Sequence, residues 1–134
     1  MAEGLLCRLV PPGVAEVVSA GTDPKPVNRD AIWSMAEIGI DISGQRSKSL
    51  DAFWGQEFDY AITLCDEAQQ VCPEFPGAAR HLHWSLADPA AAQGTDRERM
   101  VVFRMVRNEL AAQIEELMEG ILDRFLFKVY EEVA

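Results

Sequence analysis

The sequence predicts one α/β domain spanning residues 1–134, a three-layer fold with a parallel sheet and helices on both faces. Two observations predict it. Short runs of aromatic and β-branched residues alternate with helical patterns, the signature of a parallel sheet with crossover helices. The chain also has 134 residues, of which 49% are hydrophobic and 25% charged, and no linker, repeat or low-complexity stretch divides it. A domain of this length buries roughly 68% of its unfolded surface, enough for one core without disulfides or a structural metal.

Residues 1 to 9 read as the body of a helix with Leu5, Leu6 and Leu9 on one side, although no capping residue precedes Met1. Pro11-Pro12-Gly13 stops it, and Glu16 to Gly21 is expected to be a short strand with its exit turn. Asn28 is placed to cap a helix over 29 to 38, closed by Gly39, with Ile32, Met35 and Ala36 on the buried face. Ser43 to Lys48 is a loop by composition, and Leu50, Phe53 and Trp54 form a short helix. Phe58 to Leu64 is the clearest strand, expected to be buried on both faces and ending at Cys65. Pro73, Pro76 and Gly77 keep any helix over 66 to 79 short. Arg80 to Ser85 is a further strand, followed by the Ala87-Asp88-Pro89 turn. Thr95 and Glu98 make a capping box for a helix reaching at least Met118, with Val102, Val106, Leu110, Ile114 and Leu117 on one stripe.

Twelve Lys and Arg against 22 Asp and Glu give a formal charge of −10. That field repels phosphate backbones and anionic lipid, so neither nucleic acid nor a membrane is an expected partner. No apolar run approaches the ~18 residues of a membrane span, and Met1-Ala2-Glu3-Gly4 lacks a signal-peptide pattern, so a cytoplasmic location is expected. Three cysteines in a reducing compartment point to thiol chemistry rather than a disulfide scaffold.

In parallel α/β sheets, ligands bind beyond the carboxyl ends of the strands, where Ser19-Ala20-Gly21, Cys65 and Asp88 are expected to converge. Cys65 and Cys72 are six residues apart, close enough for a mobile loop to bring the sulfurs to the ~2 Å bonding distance and far enough to separate them when reduced. Read from spacing alone, each could equally be a small buried hydrophobe. His81 and His83 alternate along a strand, but no third ligand lies at metal spacing, and core packing beside Trp84 is the preferred reading.

Thr63-Leu64-Cys65, Val71-Cys72-Pro73, His83-Trp84 and Asp88-Pro89 occur in one order and spacing, together with Met1-Ala2-Glu3-Gly4, Ser19-Ala20-Gly21 and Glu37 to Ser43. This collinear set resembles the thioredoxin-coupled arsenate reductases of the low-molecular-weight tyrosine phosphatase fold, over nearly the whole chain to about Glu119. Tyrosine phosphatases of that fold tend to carry an aromatic residue after the Asp-Pro pair. Here it is Ala90, and the Cys65/Cys72 pair also favours the reductase branch. The resemblance implies a relay in which a nucleophilic Cys attacks arsenate, a second thiol displaces arsenite, and a third resolves the disulfide for thioredoxin to reduce. Cys65 matches the second thiol, Cys72 the third, and Asp88 the general acid that protonates the departing oxygen. A thioredoxin-type reductant is the implied partner, and no cofactor is implied.

In that family the first thiol belongs to a Cys-x5-Arg loop whose N–H groups cradle the oxyanion. Here Gly13 stands six positions after Cys7, Val71 after Cys65 and Ala78 after Cys72, so the sequence contains no such loop. Cys7 reads as a packing residue among leucines. Two accounts fit: Met1 is an internal methionine of a longer chain, or the chain is a shortened paralogue. As written, without nucleophile or oxyanion cradle, it is expected neither to bind nor to reduce arsenate unless the loop is supplied. The alternative function is a non-catalytic phosphatase-like binding or dimerisation module. Some family members also hold a monovalent cation with residues matching Glu3, Ser19 and an acidic side chain at the position of Lys48. An ammonium there would take the cation's place, so no metal site is expected.

Residues 121–134 extend past the resemblance as an extra apolar tail that must be buried somewhere. If the chain begins at Met1, the expectation is a strand filling the slot of the family's first strand, in its own subunit or exchanged with a second. If residues precede Met1, it is a helical extension packed on a partner, with a homodimer as the outcome in view.

Overall fold

The computed structural model describes residues 1–11, 13, 15–21, 25–64 and 77–133, with side chains in those stretches up to residue 121. Its elements are α1 (Ala2–Leu9), α2 (Arg29–Ala36), β1 (Phe58–Thr63), β2 (Ala78–His83) and α3 (Asp96–Val133), with 3-10 turns at Leu50–Phe53 and Pro89–Ala91. The local signals account for where these elements begin. Asn28 Oδ1 accepts from the N–H groups of Asp30 and Ala31 at 2.8 and 3.4 Å, satisfying two otherwise unpaired donors at the start of α2. Thr95 Oγ1 accepts from the Glu98 N–H at 3.2 Å at the start of α3. Gly39, at φ +78°, turns the chain out of α2 in the left-handed region that glycine enters without strain.

β1 and β2 run parallel in register from Phe58 opposite Ala78 to Thr63 opposite His83. They are the sheet of the described residues. β1 is half-buried, with Asp59 exposed, rather than sealed on both faces. Residues 16–21 were expected to form a strand, and they do not. Gly21 instead makes an isolated parallel bridge to Ser49, its N–H donating to Lys48 O and its carbonyl accepting from Leu50 N–H, both at 2.9 Å. Glu16 and the polar Ser19 have no neighbouring ladder that would bury them among the described residues.

α3 contacts α1, α2 and the 3-10 turn at Pro89–Ala91. The core lies between these helices: Leu5 of α1, Ala31 and Met35 of α2, Phe103, Val106, Leu110 and Ile114 of α3, with Ile42 and Leu86 from the connections. The buried stripe of α3 is therefore rotated toward Phe103, while Val102 and Leu117 are half-buried. On α2 the buried positions are Asp30, Ala31, Ser34 and Met35, whereas Ile32 is half-buried and Ala36 exposed. Ser34 is tolerated inside because its hydroxyl donates to Ala31 O at 3.0 Å.

Charge then sets the register of α2 on α3. Arg107, only 9% exposed, donates to Ser34 O at 2.7 Å and to Glu37 Oε1 at 3.1 Å. Arg104 grips the same carboxylate with both Nε and Nη2, at 2.7–3.0 Å. Near the start of α2, the buried Asp30 carboxylate accepts from Arg99 Nε at 3.3 Å.

Of the two forms expected for the tail, inserted strand or helical extension, the structure shows the helix, which runs through Val133. The 38 residues of α3 make a helix about 57 Å long at 1.5 Å per residue. Gly120 does not stop it, because a single interior glycine costs only about 1 kcal/mol against alanine.

α1 approaches the core through Gly4. A Cβ there would come within 2.7 Å of Ile42 Cγ2 and 3.3 Å of Met35 Cε. Gly4→Ala should therefore destabilise the fold by about 1–2 kcal/mol in urea unfolding, overpacking outweighing the ~1 kcal/mol gain in helix propensity; a stabilised variant would show that the contact is loose.

The hydrogen bond from Arg104, aided by the positive charges of Arg104 and Arg107, holds the Glu37 carboxyl below its ordinary pKa. Native protein thus binds fewer protons at this site than unfolded chain, and the contribution is present above the ordinary glutamate range and lost as pH falls through the depressed value. Thermal melts of Glu37→Gln across acid pH should show a shallower loss of stability than the parent; parallel curves would contradict the linkage.

Candidate functional site

The carboxyl ends of β1 and β2 form the candidate site, the place where parallel sheets bind ligands. Because Thr63 and His83 are the last residues of strands in register, their side chains meet: Thr63 Oγ1 and His83 Nδ1 are 2.7 Å apart. The Trp84 N–H donates to Thr63 O at 2.9 Å and extends the pairing one step. His81 and His83 are both exposed, which corrects the expectation of core packing beside Trp84. The register of the two strands would have revealed this pair, whereas the spacing of the two histidines alone did not.

Asp88 follows β2 by a short connection and is exposed. Its Oδ1 accepts from the Ala90 N–H at 3.0 Å and caps the Pro89–Ala91 turn, which itself packs on α3. The same residue thus holds an Asp-Pro turn and presents a carboxylate to solvent. Cys65 and Cys72 lie outside the described residues. Cys7, expected to pack, is exposed on α1, because Gly4 and Leu5 supply the buried face of that helix and Cys7 falls away from it.

Ser19 is not joined to Asp88 by any hydrogen bond among the described residues; it donates to Glu3 Oε2 instead. Lys48 Nζ lies 3.8 Å from the same carboxylate oxygen and donates to Arg46 O at 3.0 Å. Both sides of this ion pair are largely shielded, at 32% and 18% side-chain exposure. The residues present do not fit a bound monovalent cation, because an ammonium already faces the carboxylate that would hold it.

A family model described as low molecular weight phosphotyrosine protein phosphatase matches residues 1–125. The chain belongs to that family. Among its relatives, the arsenate reductase of Halalkalibacterium halodurans is 44% identical over 104 residues, covering 78% of this chain and 75% of that protein. The arsenate reductase of Bacillus subtilis is 38% identical over the same shares. The solved structure of an arsenate reductase in its oxidized state superposes with a TM-score of 0.73 at 33% identity, over 90% of this chain and 86% of that one. The structure of an arsenate reductase from Archaeoglobus fulgidus, at 22% identity and a TM-score of 0.59, shares the fold. The low-molecular-weight phosphatase-like fold, with its helices and parallel sheet, is thus established for this chain. Among the described residues no helix is long and apolar enough to cross a membrane.

The Glu3, Ser19 and Lys48 cluster gives a direct test. Lys48→Asp places a second carboxylate beside Glu3, so its melting temperature should drop in choline chloride by about 3–5 °C, roughly 1 kcal/mol, and recover in potassium chloride. The parent should melt alike in both salts. A variant indifferent to potassium would show that Glu3 and Ser19 do not form a cation cradle.

Proposed function

We propose that this chain is an arsenate reductase-like thiol protein in which Cys65 and Cys72 form a reversible disulfide read by a thioredoxin-type reductant. The observation that carries the reading is the similarity to proteins named arsenate reductase, at 36–44% identity over about three quarters of both chains. In this reading Cys65 is the thiol that displaces arsenite, Cys72 resolves the resulting disulfide, and Asp88 is the general acid. The exposed Asp88 carboxylate, held at a turn anchored on α3, supports its role. Thr63 leads directly into Leu64 and Cys65, so the Thr63–His83 pair anchors the strand end from which the thiol-bearing segment departs.

The sequence holds no Cys-x5-Arg. We infer that arsenate turnover requires a Cys-x5-Arg loop in addition to the Cys65/Cys72 couple, and that this couple works in the cytoplasm. The finer three-layer arrangement of the fold belongs to the same reading.

Mild peroxide followed by alkylation and mass spectrometry tests it. Peroxide accepts two electrons and two protons from the thiol pair, giving water and a disulfide, so Cys65 and Cys72 should become resistant to alkylation together while Cys7 remains reactive. A thioredoxin-type dithiol should restore both. Cys72→Ser should leave Cys65 unpaired. Two free thiols after oxidation of folded protein would overturn the redox role.

A further inference from the structure

Between the chain entering α2 and the loop after Ile42 lies an open cavity of about 590 Å³, within the 300–1,000 Å³ range of small-ligand sites. One wall is Lys25, Pro26 and Val27, joined by Ile32 of α2; the other includes Ser43, Gln45 and Arg46. Val27 and Ile32 pack against the hydrophobic core, so the apolar wall belongs to the folded framework.

The walls are tied to each other. Ser47 Oγ donates to Lys25 O across the gap, and the bridge between Gly21 and Ser49 joins the same two segments just outside it. Ser43 is drawn back by two bonds to Asp41 Oδ1, from its N–H at 2.9 Å and its hydroxyl at 2.6 Å. Lys48 donates to the Arg46 carbonyl at 3.0 Å, holding the backbone of that loop. The Arg46 side chain has no hydrogen bond or ion pair among the described residues, in contrast to Arg99, Arg104 and Arg107 of α3.

We infer that this cavity binds a small organic carboxylate, its apolar body against Val27 and Ile32 and its carboxylate on the Arg46 guanidinium. The planar fork of an arginine accepts a carboxylate through two parallel N–H donors. A chain with a formal charge of −10 repels additional negative charge, which favours a monoanion over a phosphate dianion. Apolar atoms of Val27 and Ile32 on one side and the Arg46 guanidinium on the other, with Lys25 also in the lining, are the usual makeup of a site that recognises such molecules. The cysteines take no part, so the inference stands or falls apart from the redox reading.

Titration of sodium benzoate into ¹⁵N-labelled protein at constant ionic strength tests it, with benzyl alcohol as the neutral counterpart. Benzoate should give saturable amide shifts centred on Val27, Ile32, Gln45 and Arg46, and benzyl alcohol should bind much more weakly. Arg46→Gln should weaken benzoate by about tenfold or more, the loss of a charge-assisted contact, while Arg46 is exposed and its replacement leaves the rest of the spectrum in place. Absent or non-saturating shifts, shifts centred elsewhere, or equal affinity in Arg46→Gln would each overturn the assignment.

Discussion

The position of α2 on α3 depends on a single buried guanidinium. Arg107 is nearly enclosed, and an enclosed cation is destabilising unless its donors are met. Here Ser34 O and Glu37 Oε1 meet them from α2. A main-chain carbonyl cannot move without moving its helix, so this contact fixes where α2 sits along α3 in a way that apolar packing of Met35 and Phe103, being non-directional, does not. Arg104 then shares the Glu37 carboxylate and Arg99 takes Asp30, so polar contacts repeat along the two helices on either side of the apolar core.

Once α2 is placed, the candidate site inherits its geometry. Gly4 lets α1 lie against Ile42 and Met35, and Glu3, its neighbour in sequence, thereby reaches both Ser19 and Lys48. The exit of α2 through Gly39 is held by Arg8 of α1, which donates to Gly39 O at 3.1 Å. At the other end of the fold, α3 supports the Pro89–Ala91 turn and with it Asp88. Helix packing and the placing of polar groups are thus one problem: Glu3, which gathers Ser19 and Lys48, sits beside the close approach at Gly4.

What was legible in the sequence was local. Asn28 and Thr95 announce their helices because a cap acts over two or three residues, and Phe58 to Thr63 announces a strand by composition alone. What was not legible needed a partner across space. Ser34 is buried in place of Ala36 because its hydroxyl is satisfied within its own helix and α3 approaches from that side, which periodicity cannot resolve on an eight-residue helix. His83 reads as a core residue until the register sets it opposite Thr63. Residues 16–21 have a strand's composition, yet a strand also requires a neighbour to pair with, and among the described residues only Gly21 finds one. The tail shows the same limit from the other side: Phe125 to Tyr130 would suit a sheet, but it continues a helix already under way, and extending a helix adds a hydrogen bond for each residue fixed without a new nucleus.

The distribution of charge gives the site its character. In a chain with ten more acidic than basic residues, a cation would be expected to find a carboxylate, and Arg99, Arg104 and Arg107 of α3 do. Lys48 does so through Glu3, where family resemblance places an acidic group and a bound ion instead. That substitution exchanges a dissociable counter-ion for one covalently attached to the chain, so the Glu3 and Ser19 cluster no longer requires salt to balance its charge. The same lysine holds the backbone of Arg46 through its carbonyl. One side chain therefore neutralises the carboxylate of α1 and positions the loop whose guanidinium is unpaired among the described residues, coupling the internal electrostatics of the fold to the cationic face it offers to solvent.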